Sequence, residues 1–358
     1  MVFTAAVHLV AAEAAPAKTN LVIGLLLPPE EPQAASVRDG VQLAVEQANK
    51  TPGPRVSLVV RGRVGQWGAD AQEAARMALD DGATALIAPP DGGASHLVLQ
   101  VSGRTAVPVV SLCPDSSVSR AGVPWFARLV PRTVDEARVL FSNFNSAPVQ
   151  IGRWAAFVPP GRPGRETAND LKEAAVLART SLGPIIEITF SNREAAVAVV
   201  MKTNAQAVLV WLDPKPAAEC VKSLRGASFP GPIAGPIRLH TPEFVANAGN
   251  SLDGFFLPGL LLGEASQERF QAFQTVFRLQ FKREPDISAA FSFDAAALLI
   301  QTIRNTEPEA LIRSLPSDLA FPGVSGILAF DANGNRKLPL QVLIFENGSF
   351  APLRAIGE

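Results

Sequence analysis

The sequence predicts an α/β fold of two lobes, each built on a parallel sheet covered by helices. Three observations carry that expectation. Short, continuous apolar runs such as residues 21–27 and 207–212 have the pattern of strands buried on both faces. Segments with apolar residues at helical spacing separate these runs, which is the alternation of a sheet covered on both sides. The alternation breaks off after residue 130 and restarts near residue 149, and a chain of 358 residues is long enough for two cores.

The first strand (21–27) leads into a polar loop (28–35). A helix follows, begun by Ser36 with Asp39 three residues on as a capping box, and sided by Val37, Val41, Ala44, Val45 and Ala48. Residues 56–60 form the second strand. The next helix carries Ala71, Ala74, Ala75, Ala78 and Leu79 and stops at Gly82. Residues 84–88 and 107–112 are the third and fourth strands, with a short helix between them. Both are followed by loops at their carboxyl ends, where open α/β sheets take ligands. The loop 89–95 opens directly into its helix, so its backbone N–H groups and the helix dipole face the same mouth. Residues 126–130 make a short strand that leaves this lobe.

The second unit starts with a helix at Thr133, sided by Ala137, Leu140, Phe141 and Phe144. A strand (149–158), a loop (159–164) and a helix bearing Leu171, Ala174, Ala175, Ala178 and Leu182 come next. Strands at 185–190, 207–212 and 254–262 continue the plan, with a helix at 194–203 and a second, Pro-started helix after residue 213. Two long helices follow. Their Phe270, Phe273, Phe277, Phe281, Phe291 and Phe293 read as core. The tail holds a strand at 327–330, then strands at 340–345 and 350–353 around Asn347-Gly348, a strong hairpin signal.

Composition narrows the function. A formal net charge of −1 argues against a nucleic-acid or anionic-membrane surface. Two distant cysteines, Cys113 and Cys220, and three scattered histidines give neither a disulfide scaffold nor a zinc site, and read as buried free thiols and isolated imidazoles. Residues 1–20 are alanine-rich with small residues at an A-x-A spacing, as at the end of a secretory signal, so a periplasmic or secreted protein is expected. There is no G-x-S-x-G elbow and no Walker loop, and the expectation is a protein that is not an enzyme and carries no cofactor.

Several stretches resemble the periplasmic solute-binding proteins of ABC importers in the branched-chain amino-acid (Leu/Ile/Val) family. They are VRDGVQLAVEQAN at 37–49, DDGATALIAP at 80–89, VPVVSLCP at 107–114, FSFDAAALL at 291–299 and GVSGILAFDANGN at 323–335. The resemblance implies the type I periplasmic-binding fold, with three hinge crossings near 129–132, 261–264 and 330–335. Lobe one is then 21–130 plus 264–329, and lobe two 131–263 plus 330–358. It further implies a monomer that closes like a clamshell on a small-molecule ligand and passes it to an ABC permease. The same fold also serves as a sensory or regulatory module, and a degenerate member without a ligand is a third reading.

Relatives hold a ligand carboxylate with hydroxyl-rich loops after the third and fourth strands. Here those loops offer Asp91, Gly92, Gly93 and Ser95, then Ser111, Cys113 and Asp115. The glycines either cradle an anion or simply make the turn. The acid that relatives use for an ammonium is replaced around Ile237 and Arg238. A buried ammonium without a carboxylate is costly, so a carboxylate gripped by Arg238 is expected rather than a standard branched-chain amino acid, unless Arg238 is only a solvated loop residue. Arg61 and Arg63 face the mouth or line its rim. Trp67 stacks on a ligand or packs at the rim, and Cys113 is a small contact.

Overall fold

The computed structural model describes residues 20–63, 68–146, 150–305 and 320–353. The expected signal remnant therefore lies almost entirely outside the described residues, and Trp67 lies outside them as well.

The first lobe follows in chain order as β1 (Asn20–Leu26), α1 (Ala34–Ala48), β2 (Arg55–Arg61), α2 (Ala69–Leu79), β3 (Ala85–Ala88), α3 (Gly92–Thr105), β4 (Val109–Ser111) and β5 (Phe126–Arg128). Its strands form one parallel sheet in the order β2-β1-β3-β4-β5. The second lobe holds α4 (Thr133–Asn145), β6 (Arg153–Val158), α5 (Gly161–Leu177), β7 (Ser181–Glu187), α6 (Arg193–Met201), β8 (Ala207–Val210), α7 (Pro214–Gly226), β9 (Ile233–Ala234), α8 (Pro242–Ala248) and β10 (Phe255–Leu260).

The chain then returns to the first lobe with α9 (Glu264–Phe281), α10 (Ile287–Asn305), and a small ribbon of β11 (Phe321–Gly323) and β12 (Gly326–Leu328). It ends in the second lobe as β13 (Leu340–Glu346) and β14 (Ser349–Pro352). The second sheet runs β14-β13-β10-β9-β8-β6-β7, parallel except for the hairpin β13–β14 added antiparallel to β10. Asn347 and Gly348 have φ of 52° and 80°, the left-handed pair that a two-residue I′ turn requires.

Each sheet separates two apolar layers. On one face of the first sheet, Leu21, Ile23 and Leu25 of β1 meet Val37, Val41 and Ala44 of α1 and Ala295 and Leu299 of α10. On the other face, Leu26 and Leu86 meet Met77 of α2 and Val98 of α3. Helices α1 and α10 approach so closely at Gly40 that a carbon added there would lie 2.3 Å from both the Ala289 carbonyl oxygen and Ser292 Oγ. Phe273, Phe277 and Phe291 are buried, as the core reading of the phenylalanine stripe requires, and both cysteines are buried free thiols.

Three connections cross between the lobes: β5 to α4, β10 to α9, and β12 to β13. Two of them are bound together. Arg128 is fully buried; its backbone N–H donates to Gly334 O at 2.7 Å and its Nε to Asn335 Oδ1 at 3.1 Å. Arg336 returns a backbone N–H to Arg128 O at 3.1 Å and donates from Nη1 to Leu129 O at 3.3 Å.

Local expectations differ from the structure in several places, among them the following. Helix α1 begins at Ala34, and Ser36 and Asp39 do not form a capping box. Ser36 Oγ donates to Asp286 Oδ2 at 2.6 Å, and Asp39 pairs with Arg283 at 2.6 Å; a distant loop outcompetes the local cap. Helix α5 begins at Gly161, inside the expected loop. Leu182 lies in β7 rather than on a helix. Strand β6 begins at Arg153, four residues after the expected start at 149.

Candidate functional site: the cleft between the lobes

The carboxyl ends of both sheets face one another across a cleft. Helix α3 begins there, and Asp91 is its N-cap: Oδ1 accepts from the Ala94 N–H at 2.7 Å, the usual way a carboxylate satisfies an orphan donor. A donor expected to be open to an anion is thus taken by the chain's own acid.

Ser95 and Ser111, expected at the cleft, are fully buried. Ser95 Oγ donates to Pro89 O at 2.7 Å, and Ser111 Oγ accepts from the Cys113 N–H at 3.1 Å. They shape the two loops from below and present nothing to a ligand. Arg61 is also placed away from the cleft. Its guanidinium grips Asp81 through Nε (2.6 Å) and Nη2 (2.9 Å) and reaches Glu73 at 3.4 Å, which consumes its fork. Arg63 pairs with Glu73 at 2.7 Å and borders the outer mouth.

The other expected residues do converge. Asp91, Gly92, Cys113, Asp115 and Arg238 line one cavity of about 230 Å³, and Gly93 borders its outer opening. At Gly92 the two lobes stand close together: an added carbon would sit 2.8 Å from Asp115 Oδ2 of its own lobe and 3.1 Å from Glu166 Oε2 of the other. The Ser116 N–H of the first lobe donates to Asp170 Oδ2 of the second at 3.1 Å, and Arg120 meets Glu173 at 3.4 Å. The lobes are therefore in contact around the cavity.

The cavity is acidic. Glu31, Asp91 and Asp115 face it from the first lobe and Glu166, Asp170 and Asp213 from the second, against one lining guanidinium, Arg238. Arg238 Nε already lies 3.7 Å from Asp213 Oδ1. Burial, with Asp213 and Asp91 adding to it, pushes the Glu31 carboxyl up to about 7. Burial, opposed by the Ser116 hydrogen bonds, raises Asp170 to about 6. Glu166 is raised by burial and, after the opposing Arg162 bond, by Asp115. Carboxylates that could meet an ammonium are therefore present, against the expectation drawn from Ile237 and Arg238: they come from other loops and from helix α5.

A narrower apolar chamber of about 40 Å³ continues inward, walled by Val37, Leu112, Val130, Ile237, Ile287 and Phe291. Glu136 borders it; Oε2 accepts from the Ile237 N–H at 2.7 Å, and burial pushes this carboxyl up to about 8. Thr133 is 3% exposed, lines the larger cavity, and its hydroxyl has no hydrogen-bond partner among the described residues. Asp170, 4% exposed, has only one oxygen bonded. Cys113 is buried, and burial pushes its thiol far above the ordinary value, which leaves it a packing contact and no nucleophile. Among the described residues no three His, Cys, Asp or Glu side chains are placed to hold a metal ion.

Glu31, Thr133, Glu136, Glu166, Asp170 and Asp213 were missed in the sequence. One signal was available. The loops after β1, β3, β4 and β8 each bring an acid, and Glu166 and Asp170 stand four apart on α5, on one helix face.

The family described as "Periplasmic binding protein" matches residues 21–345. No curated protein sequence matches the chain. A leucine binding protein, LivK, from Thermotoga maritima superposes with a TM-score of 0.82 at 20% identity, covering 93% of this chain and 98% of its own. The branched-chain amino acid transporter substrate binding protein LivJ from Streptococcus pneumoniae, in complex with isoleucine, gives 0.79 at 17% identity over 92% and 97%. An ABC transporter solute binding protein from R. palustris, in complex with benzoate, gives 0.81 at 19% identity over 93% and 95%.

Proposed function

The chain belongs to the periplasmic binding protein family, and from that premise we propose that it is the extracytoplasmic solute-binding component of an ABC importer. It acts as a monomer that takes up a small organic solute between its lobes and presents the closed complex to a permease. The bounds 21–130 with 264–329, and 131–263 with 330–358, are proposed for the two lobes. Asp91, Gly92, Gly93, Cys113, Asp115 and Arg238 are proposed as ligand-facing residues.

One observation carries the reading. A cavity built from both sheets' carboxyl-terminal loops holds a buried hydroxyl, Thr133, and a half-satisfied carboxylate, Asp170. Neither oxygen is fully enclosed, so both open onto the cavity, where a solute that bonds them ties the lobes together. Closure about the three crossings does the rest of the work, with no covalent step. A carboxylate held at Arg238 is a second reading, favoured by the position of that guanidinium against both the larger cavity and the apolar chamber.

The test is a thermal-shift screen of the purified protein against amines, guanidines, amides, aliphatic and aromatic carboxylates and amino acids, followed by calorimetry on any hit. A solute that binds only the folded state raises the melting temperature. A screen in which no class produces a shift would remove the solute-binding reading.

A further inference from the structure

We propose that the solute of this cleft carries an ammonium or guanidinium group, and that this cation bridges carboxylates of the two lobes in the closed protein. The inference rests on the solute-binding reading above and names its ligand class. Three carboxylates come from each lobe onto one cavity of about 230 Å³. Two of them, Asp115 Oδ2 and Glu166 Oε2, converge from opposite lobes to within 2.8 and 3.1 Å of a single point beside Gly92. Like charges brought together in this way oppose closure. The nearby guanidiniums do not remove the excess. Arg162 is held by Glu166 at 2.5 Å, Arg238 stands beside Asp213 at 3.7 Å, and the buried Arg128, whose charge acts on Asp115 and Asp170, is tied to Cys113 O and Asn335, so three guanidiniums stand against six carboxylates.

The second line of support is independent of charge counting. Thr133 and Asp170 are 3% and 4% exposed and border the same cavity, and among the described residues the Thr133 hydroxyl and the second oxygen of Asp170 have no hydrogen-bond partner. An ammonium offers three donors and a guanidinium five, which matches a wall made almost wholly of acceptors. A carboxylate would meet mostly acceptors and like charge. A bare metal ion does not suit the site either, since among the described residues no three ligands are spaced for one. The adjoining chamber of about 40 Å³, lined by Val37, Ile237 and Phe291, takes a short alkyl segment. The class is therefore a short alkylamine, diamine or alkylguanidine.

Calorimetry on the intact protein with 1,4-diaminobutane, agmatine, benzoate and leucine at pH 8 tests this. A cationic probe is expected to bind, more weakly as salt rises. Glu166→Gln and Asp170→Asn are each expected to weaken it about ten- to a hundred-fold, as loss of a charged hydrogen-bond partner does. Small-angle scattering supplies a readout that misfolding would not mimic. The wild type should contract on adding the cation, whereas Glu166→Gln, relieved of like-charge repulsion, should already be compact without it. Binding of benzoate or leucine with no response to either cation overturns this inference and leaves the solute-binding function standing. Silence from all four probes overturns the inference and, with an equally silent wider screen, the function as well.

Discussion

Replacing Gly40 by alanine perturbs the tightest helix contact of the first lobe. The new methyl would lie 2.3 Å from the Ala289 carbonyl oxygen and 2.3 Å from Ser292 Oγ, where ordinary contact begins at 3.4 Å. Ser292 could rotate only by giving up its bonds to Ser288 O (2.7 Å) and Ala289 O (3.1 Å), and the carbonyl cannot rotate at all. Helix α10 must therefore retreat by about 1 Å from α1, loosening Ala295 and Leu299 against β1. Overpacking costs about 1–3 kcal/mol, and a backbone carbonyl at 2.3 Å puts this site in the upper part of that range, about 2–3 kcal/mol. Alanine's helix preference over glycine returns about 1 kcal/mol, so a net loss on the order of 1–2 kcal/mol is expected. At about 2–4 °C per kcal/mol, the melting temperature of the ligand-free protein should fall by roughly 2–8 °C. Gly103→Ala is the control. That glycine is helical and exposed, with nothing within 4 Å of the added carbon, and alanine there should stabilise by about 0.5–1 kcal/mol. A Gly40→Ala protein melting at or above wild type would refute the packing argument.

Three other measurements bear on the site and its support. Gly92→Leu drives a side chain between Asp115 and Glu166 and should abolish any ligand-induced melting shift while the far-ultraviolet circular dichroism stays unchanged. Asp294 is fully buried and accepts from the Val324 N–H, the Ser325 N–H and the Ser325 hydroxyl. Asp294→Ala leaves those donors and the nearby Arg336 uncompensated and should cost about 3–5 kcal/mol in urea unfolding. Glu31, Asp170 and Glu136, held up at about 7, 6 and 8, bind protons in the folded state that the unfolded chain has already released. Stability of the ligand-free protein should then fall as pH rises from about 5 to 8. Melting curves across that range check the sign, and Asp170→Asn should flatten the lower part of the slope.

The strands and helices were legible because their signals are local. An unbroken apolar run such as 21–27 has few alternatives to a buried strand, and Asn347-Gly348 has few alternatives to a hairpin turn. The cleft was legible in position for the same reason, since loops at strand ends are defined by the strands before them. Which side chains enter it was not. Ser95 and Ser111 are hydroxyls in the expected loops, yet their oxygens turn inward to bond Pro89 O and the Cys113 N–H. Glu166 and Asp170 lie on a helix of the opposite lobe, and only the approach of one lobe to the other brings them beside Gly92 and Ser116. Arg61 shows the same limit: its partner Asp81 stands 20 residues away, and nothing in the order of residues distinguishes it from a free cation.

The burial of α10 against α1 and β1 has a consequence for biosynthesis. The face of the first sheet that α10 covers begins with residues of β1 and α1 and is completed by β3, β4 and β5 before residue 130, while α10 itself ends at Asn305. At a synthesis rate of about 5–20 residues per second, the early strands wait on the order of 15–60 s for that helix to emerge. Through that interval Leu21, Ile23, Val37 and Val41 lack the α10 half of their layer. The nascent chain must stay extended or be shielded until α10 has been made. Truncations short of α10 should accordingly yield insoluble product, even though every strand of the first sheet is present.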